Sequence, residues 1–229
     1  RFLRIMSAAA TAMHEALFSD KVDPELKALK YINKDRQISV EALKEYKVGY
    51  SKDLPWLHRR IEELMNEMVQ YEELQKLDLN NPMLWVDTLV FPVFDSSGRV
   101  VQFYVRPFGQ SQVKYLSTSH STPVHRDVVY GLNVARKKLK NSDGILYVVE
   151  GQIDMLQMVS HGFESSVSVC GVTKFKKPEF ISIIQRYPVS ELVLIPDGDE
   201  AGKRELMNIS ENFVDFGQLF VKLVVLDAG

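Results

Sequence analysis

Residues 191–205 read ELVLIPDGDEAGKRE. The apolar run Leu192–Ile195 stops at Pro196, Asp197-Gly198-Asp199 follows, and helical spacing begins at once. A short continuous apolar run bounded by turn formers reads as a strand buried on both faces. Two aspartates at its tip repel one another unless something positive neutralises them. Taken alone, Asp-Gly-Asp between strand and helix is more often a turn with a helix cap. An earlier stretch alters that weighing. Residues 145–154, ILYVVEGQID, form a second apolar run that ends in Glu150-Gly151-Gln152-Ile153-Asp154. Two strand tips carrying acid favour a bound cation over two unrelated turns.

Outward from these stretches the pattern is regular. Strands are expected at 145–149, 166–170, 191–195 and 219–226, with helices at 153–160, 178–186 and 200–212. Apolar strands alternating with helices predict a parallel sheet covered on both faces, with right-handed crossovers. In such sheets ligands bind beyond the carboxyl ends of the strands. With the two acidic strands as neighbours, Glu150, Asp197 and Asp199 converge on one rim. Asp154, one turn into its helix, faces that rim or solvent. Carboxylates without His or Cys are hard oxygen ligands and suit Mg²⁺ or Mn²⁺ rather than zinc. Gly151 and Gly198 allow close backbone approach to a metal or phosphate, and Gly202 is small where a helix begins.

The first 143 residues have a different texture. Phe2, Ile5, Met6, Ala9, Met13 and Leu17 predict an amphipathic helix. Asp23-Pro24-Glu25 reads as a helix start, Ser39 as the cap of a helix through Tyr46 closed by Gly49, and Leu57–Met68 as a further helix. Asn80-Asn81-Pro82 reads as a break. Runs 88–94 and 99–108 around Asp95-Ser96-Ser97-Gly98 predict a β-hairpin, and 128–140 a helix with a basic end. Asn141-Ser142-Asp143-Gly144 marks the expected boundary between a domain at 1–143 and one at 144–229.

Composition limits the rest. Lys plus Arg number 28 and Asp plus Glu 30, a net charge of -2, so only local charge can argue for a nucleic-acid partner. The single cysteine, Cys170, excludes an internal disulfide or a Cys-based zinc site within the chain and fits a reducing compartment. No apolar run reaches the roughly 18–20 residues of a membrane span, so no membrane partner is expected. Arg1 opens a segment already helical in spacing, as expected of a piece of a longer protein.

Glu150-Gly151-x-x-Asp154, then Gly171, then Asp197-x-Asp199-x-Ala201-Gly202 resembles the Toprim domain of DnaG-type primases, topoisomerases and some nucleases. The upstream half narrows the resemblance to bacterial primases. FPVFDSSGRVVQFYVR (91–106), VKYLSTS (113–119), VVYGLNVARK (128–137) and ISVEALKEYKVGYS (38–51) are similar, in order, to segments of the primase RNA-polymerase core. The resemblance implies an α/β fold, with an α+β N-terminal subdomain followed by a Toprim domain with a mostly parallel sheet. It implies template-directed synthesis of short RNA primers on single-stranded DNA from ribonucleoside triphosphates, in a cytoplasmic bacterial or phage-encoded protein.

By the same resemblance Glu150 is an essential acid with a part in proton transfer, and Asp197 and Asp199 bind metal, with Asp154 a further acid of the motif. Gly151, Gly171, Gly198 and Gly202 mark close backbone approach. Arg106, Lys114 and Arg126 match positions on the surface that contacts template or nucleotide, and Tyr115 is placed to stack on a base or to pack in the core. Basic Arg136, Lys137, Lys138 and Lys140 read as a solvated helix face. A replicative helicase is the implied partner, through regions outside this sequence. Departures are Asp87 and Thr88 where the family carries arginines, Tyr104 and Val105 where it has glycines, and Ser117 for an asparagine. A different Toprim phosphotransferase (nuclease or topoisomerase) and a non-catalytic nucleic-acid-binding module are the alternatives.

Overall fold

The computed structural model describes residues 1–23, 25–108, 115–126, 128–170, 185–198 and 220–224. The chain divides into two units, Arg1–Arg126 and Asp127–Gly229. The architecture is mixed α/β, with an antiparallel sheet in the first unit and a parallel sheet in the second.

In the first unit the apolar stripe of α1 (Phe2–Leu17) is buried through Ile5, Met6, Ala9, Met13 and Leu17, as the spacing predicts. It packs on α4 (Leu54–Met65) and on β1 (Gly49–Ser51). Strands β2 (Thr88–Phe94), β3 (Val100–Pro107) and β4 (Leu116–Ser117) complete an antiparallel sheet in the order β1-β2-β3-β4. The expected hairpin is present. Asp95 Oδ1 accepts from the backbone N–H of Ser97 at 2.8 Å and of Arg99 at 3.0 Å, and Gly98 takes φ +76° in the turn. Phe103, Trp85 and Val105 lie in the core, and the rings of Trp85 and Phe103 meet edge to face at 5.4 Å.

Three local expectations are corrected. The helix expected from Asp23 begins later, as α2 (Lys27–Lys30), after Leu26 in a left-handed conformation at φ 49°. Asp23 still caps it, accepting from the N–H of Ala28 at 3.0 Å. Gly49 does not close α3 (Val40–Glu45); Tyr46 is the C-cap, and Ser39 caps the start as expected. Gly49 is glycine because a Cβ would lie 2.8 Å from the backbone carbon of Met13, where β1 crosses α1. Asn81-Pro82 is a start rather than a break, since Asn81 accepts from the N–H of Met83 at 3.0 Å and opens α6 (Pro82–Trp85). The intervening α5 (Tyr71–Lys76) starts with a capping box from Gln70 and Glu73.

In the second unit α7 (Leu132–Lys138) is shorter than expected, because Gly131 at φ 85° caps it and a 3-10 turn, Leu139–Ser142, ends it. Strands β5 (Ile145–Val149), β6 (Ser166–Ser168), β7 (Glu191–Ile195) and β8 (Phe220–Leu223) are parallel, in the order β6-β5-β7-β8. Leu146, Val148, Val167, Leu192 and Leu194 pack with Leu132, Ala135 and Leu139 in one core. Tyr147, Val149, Val193 and Ile195 alternate with them and face the other side, where α8 (Gln152–Ser160) lies. Of the helix expected at 178–186, residues 178–184 fall outside the described residues and Gln185-Arg186 form a turn, and the helix expected at 200–212 falls wholly outside them.

Candidate functional site

The acidic rim follows from strand register. Val149 of β5 pairs with Ile195 of β7 and with Ser168 of β6, so three strands end level with one another. Glu150 follows β5 directly and Asp197 follows β7 after Pro196. Because β5 and β7 are adjacent and parallel, both acids leave the same edge of the sheet. The loop after β5 is tied down: Ser168 Oγ donates to the Glu150 carbonyl at 2.8 Å, and the N–H of Cys170 donates to that same Oγ at 3.1 Å. Tyr130, from the segment before α7, exchanges backbone hydrogen bonds with Ser168 at 3.0 and 3.2 Å and braces the outer strand.

Gly151 is the N-cap of α8, and its carbonyl receives the N–H of Met155 at 3.1 Å. A Cβ there would overlap the Asp154 carboxylate. Asp154 therefore bends back over the start of its own helix, where the unpaired N–H groups favour negative charge. It is exposed, and it lines with Asp197 and Gly198 a cavity of about 880 Å³ over Tyr147, Val149, Val193 and Ile195. Glu150 is half-buried and is not in that lining. Among the described residues no three His, Cys, Asp or Glu side chains form a group able to hold a metal. Asp199, Gly171 and Gly202 lie outside the described residues, so the trio of Glu150, Asp197 and Asp199 is not spanned by them.

Basic residues form a separate constellation in the first unit. Arg106 stands near the end of β3, with its guanidinium carbon 5.3 Å from the ring centroid of Tyr115. Arg106 and Tyr115, each expected as a nucleic-acid or nucleotide contact, are thus brought together, while Lys114 lies outside the described residues. Arg126 is exposed and donates to the carbonyl of His125 at 2.6 Å. Sequence reasoning missed Tyr31, whose ring centroid is 5.4 Å from the same guanidinium carbon. It also missed Arg36, whose Nε donates to the Tyr31 hydroxyl at 2.9 Å. Residues five apart do not share a face of an α-helix. Here the chain makes a π-helical turn, Tyr31–Asp35, closed by Arg36 N–H to the Tyr31 carbonyl at 3.0 Å, and the two side chains meet.

Asp87 and Thr88, two of the departures, have structural roles. Asp87 accepts from Lys27 Nζ at 2.9 Å and from the Tyr50 hydroxyl at 3.0 Å, while Thr88 is fully buried in β2. Burial, with the negative charge of Asp87 second, pushes the Tyr50 hydroxyl well above its usual range. Val105, at a glycine position, fills the core.

A parallel sheet with acids at the tips of two neighbouring strands, preceded by a helical unit with its own antiparallel sheet, defines a Toprim-bearing catalytic core. Residues 14–136 match the family described as the DNA primase catalytic core, N-terminal domain, and residues 147–225 match the Toprim-like family. The chain belongs to the DNA primase catalytic-core family. It is 31% identical over 213 residues to the DNA primase of Borreliella burgdorferi, covering 89% of this chain and 39% of that protein. A DNA primase domain from Pseudomonas aeruginosa superposes with a TM-score of 0.78 at 25% identity, covering 100% of this chain and 72% of that one. A DnaG primase catalytic domain solved bound to ssDNA shares the fold, with a TM-score of 0.76 at 19% identity over 100% of this chain and 71% of that one. The chain spans about a third of the length of the curated relatives it matches. Among the described residues no helix is long and apolar enough to cross a membrane.

Proposed function

We propose that this chain is the nucleotidyl-transfer core of a DNA primase, joining ribonucleoside triphosphates into short RNA on a single-stranded DNA template. The observation that carries the reading is the adjacency of β5 and β7, which sends Glu150 and Asp197 off one edge of the sheet. Glu150, Asp197, Asp199 and Asp154 would hold Mg²⁺ or Mn²⁺; all four donors are carboxylates, the donor type these hard cations take. When bound, such ions would supply Lewis-acid activation of the attacking 3′-hydroxyl and charge stabilisation of the leaving pyrophosphate. In this reading Glu150 would take the hydroxyl proton, and Gly151 and Gly198 would leave room for phosphate oxygens beside the rim.

Arg106, Tyr115 and Arg126, with Lys114, are the proposed nucleic-acid and nucleotide contacts, neutralising phosphate and stacking on a base. That role is supported by their match to the family's basic segments and by the pairing of Arg106 with an aromatic ring. The working boundary between the two functional parts is Asp143/Gly144. A cytoplasmic location and a replicative helicase partner belong to the same proposal.

The test is to incubate the chain with Mg²⁺ or Mn²⁺, single-stranded DNA and ribonucleotides. Short RNA is expected, and Glu150→Gln should abolish it without unfolding the protein. DNA cleavage in place of synthesis would favour a nuclease-type Toprim enzyme, and binding with neither activity a non-catalytic module.

A further inference from the structure

Arg106 has an unfinished set of hydrogen bonds. Its Nη1 is shut off from solvent and has no hydrogen-bond partner among the described residues. A buried bare donor is costly, so the guanidinium is either held in place by other contacts or completed by a ligand. The first condition is met here. Its carbon lies over two rings, Tyr31 at 5.4 Å and Tyr115 at 5.3 Å. Contacts with ring faces hold a guanidinium but leave its in-plane N–H donors unused.

Tyr31 is itself fixed. Arg36 bonds its hydroxyl, and the ring of Phe108 meets it edge-on at 5.4 Å. Phe108 lies under Lys27 Nζ at 4.8 Å, and Lys27 is anchored by Asp87. A continuous chain of contacts thus runs from Asp87 to Arg106 through residues that no motif marks. A planar, two-toothed guanidinium fits a phosphate group, which would reach it through the half-exposed part of the side chain.

We propose that Tyr31 is a positioning residue that holds Arg106 ready for a phosphate, supplied by the template backbone or by the incoming triphosphate. The naming of those two sources rests on the primase reading; the ring-held arginine does not.

The experiment is a double-mutant cycle on the full chain with Tyr31→Leu, Arg106→Ala and the pair, plus Tyr31→Phe. Dissociation constants are measured for a fluorescent oligothymidylate and, separately, for ATP with Mg²⁺. Tyr31→Leu should weaken one of the two by roughly 2- to 5-fold, and the arm that moves identifies the source. Tyr31→Phe, which keeps the ring, should stay within about 2-fold of the parent. In the Arg106→Ala background the Tyr31→Leu change should vanish, because it acts through that arginine. Tyr31→Met, which also removes the ring, serves in its place if that variant does not fold.

The proposal is overturned if ring removal leaves both arms unchanged, or if its effect persists undiminished without Arg106. If the cycle closes as expected but no RNA is ever made, the primase reading falls while the positioning role stands.

Discussion

The two units use their aspartates differently. In the first, Asp95 meets two backbone N–H groups and the Arg99 guanidinium, Asp87 meets Lys27 and Tyr50, and Asp23 and Asp53 cap helices. Each is answered by donors of its own unit. In the second, Asp154 has no hydrogen bond or ion pair among the described residues, and Asp197 is exposed at the tip of β7. An acid answered from within holds the fold. Acids at the carboxyl edge of a parallel sheet stand where such sheets bind their ligands.

The largest effect that could break this contrast is on chemistry. Asp197→Asn should lower RNA synthesis by roughly 10²–10³-fold, the scale of several kcal/mol of lost charge stabilisation. Its melting temperature should not fall. Primer yield on a denaturing gel and a thermal melt of the same sample check the two halves together.

Next comes the opposite case. Asp95→Ala strips the acceptor from two N–H groups in a tight turn and should destabilise by about 2–3 kcal/mol, read as a shift of the urea midpoint. Synthesis per folded molecule should be retained.

Acid should then act on the first unit in two stages. Burial lowers the His14 pKa, against a hydrogen bond between its Nδ1 and the Val48 carbonyl at 2.7 Å. The neutral form is favoured in the fold, so its contribution is complete above about 6.5 and is lost as pH falls from there through the lower folded value. For Asp95, burial pushes the carboxyl up, but Arg99 and the turn N–H groups outweigh it and hold it below its usual range. Its contribution is complete above about 4 and is lost as pH falls further. Urea midpoints across pH 3–8 check both stages, and His14→Gln should remove the upper one alone.

The smallest effect is at Gly151. Gly151→Ala pushes against the Asp154 carboxylate, the end of a flexible exposed side chain, so the cost should stay under about 1 kcal/mol. It should vanish in Gly151→Ala/Asp154→Ser.

The second unit was the more legible of the two in the sequence. A strand buried on both faces is a continuous apolar run, and ILYVV and ELVLI coincide with β5 and β7. Their adjacency was only a condition in the sequence, because doubly wound sheets occur in orders that do and do not pair the first strand with the third; the pairing of β5 with β7 settles it. The first unit resisted at its short elements. The three-residue β1 carries too little alternation to be seen, and Gly49 resembled a helix stop because its real reason, the approach of Met13, is a tertiary contact. Tyr31 and Arg36 escaped notice because helical spacing separates residues that a π turn brings together.

The most direct measurement is the anomalous signal of Mn²⁺ soaked into crystals of the chain. A peak off the carboxyl edge of β5 and β7, within ligand distance of Glu150 or Asp197 and lost in Asp197→Asn, is the expected result. A chain that makes RNA while its Mn²⁺ sits elsewhere, with the Glu150 and Asp197 carboxylates pointing apart, would contradict the account.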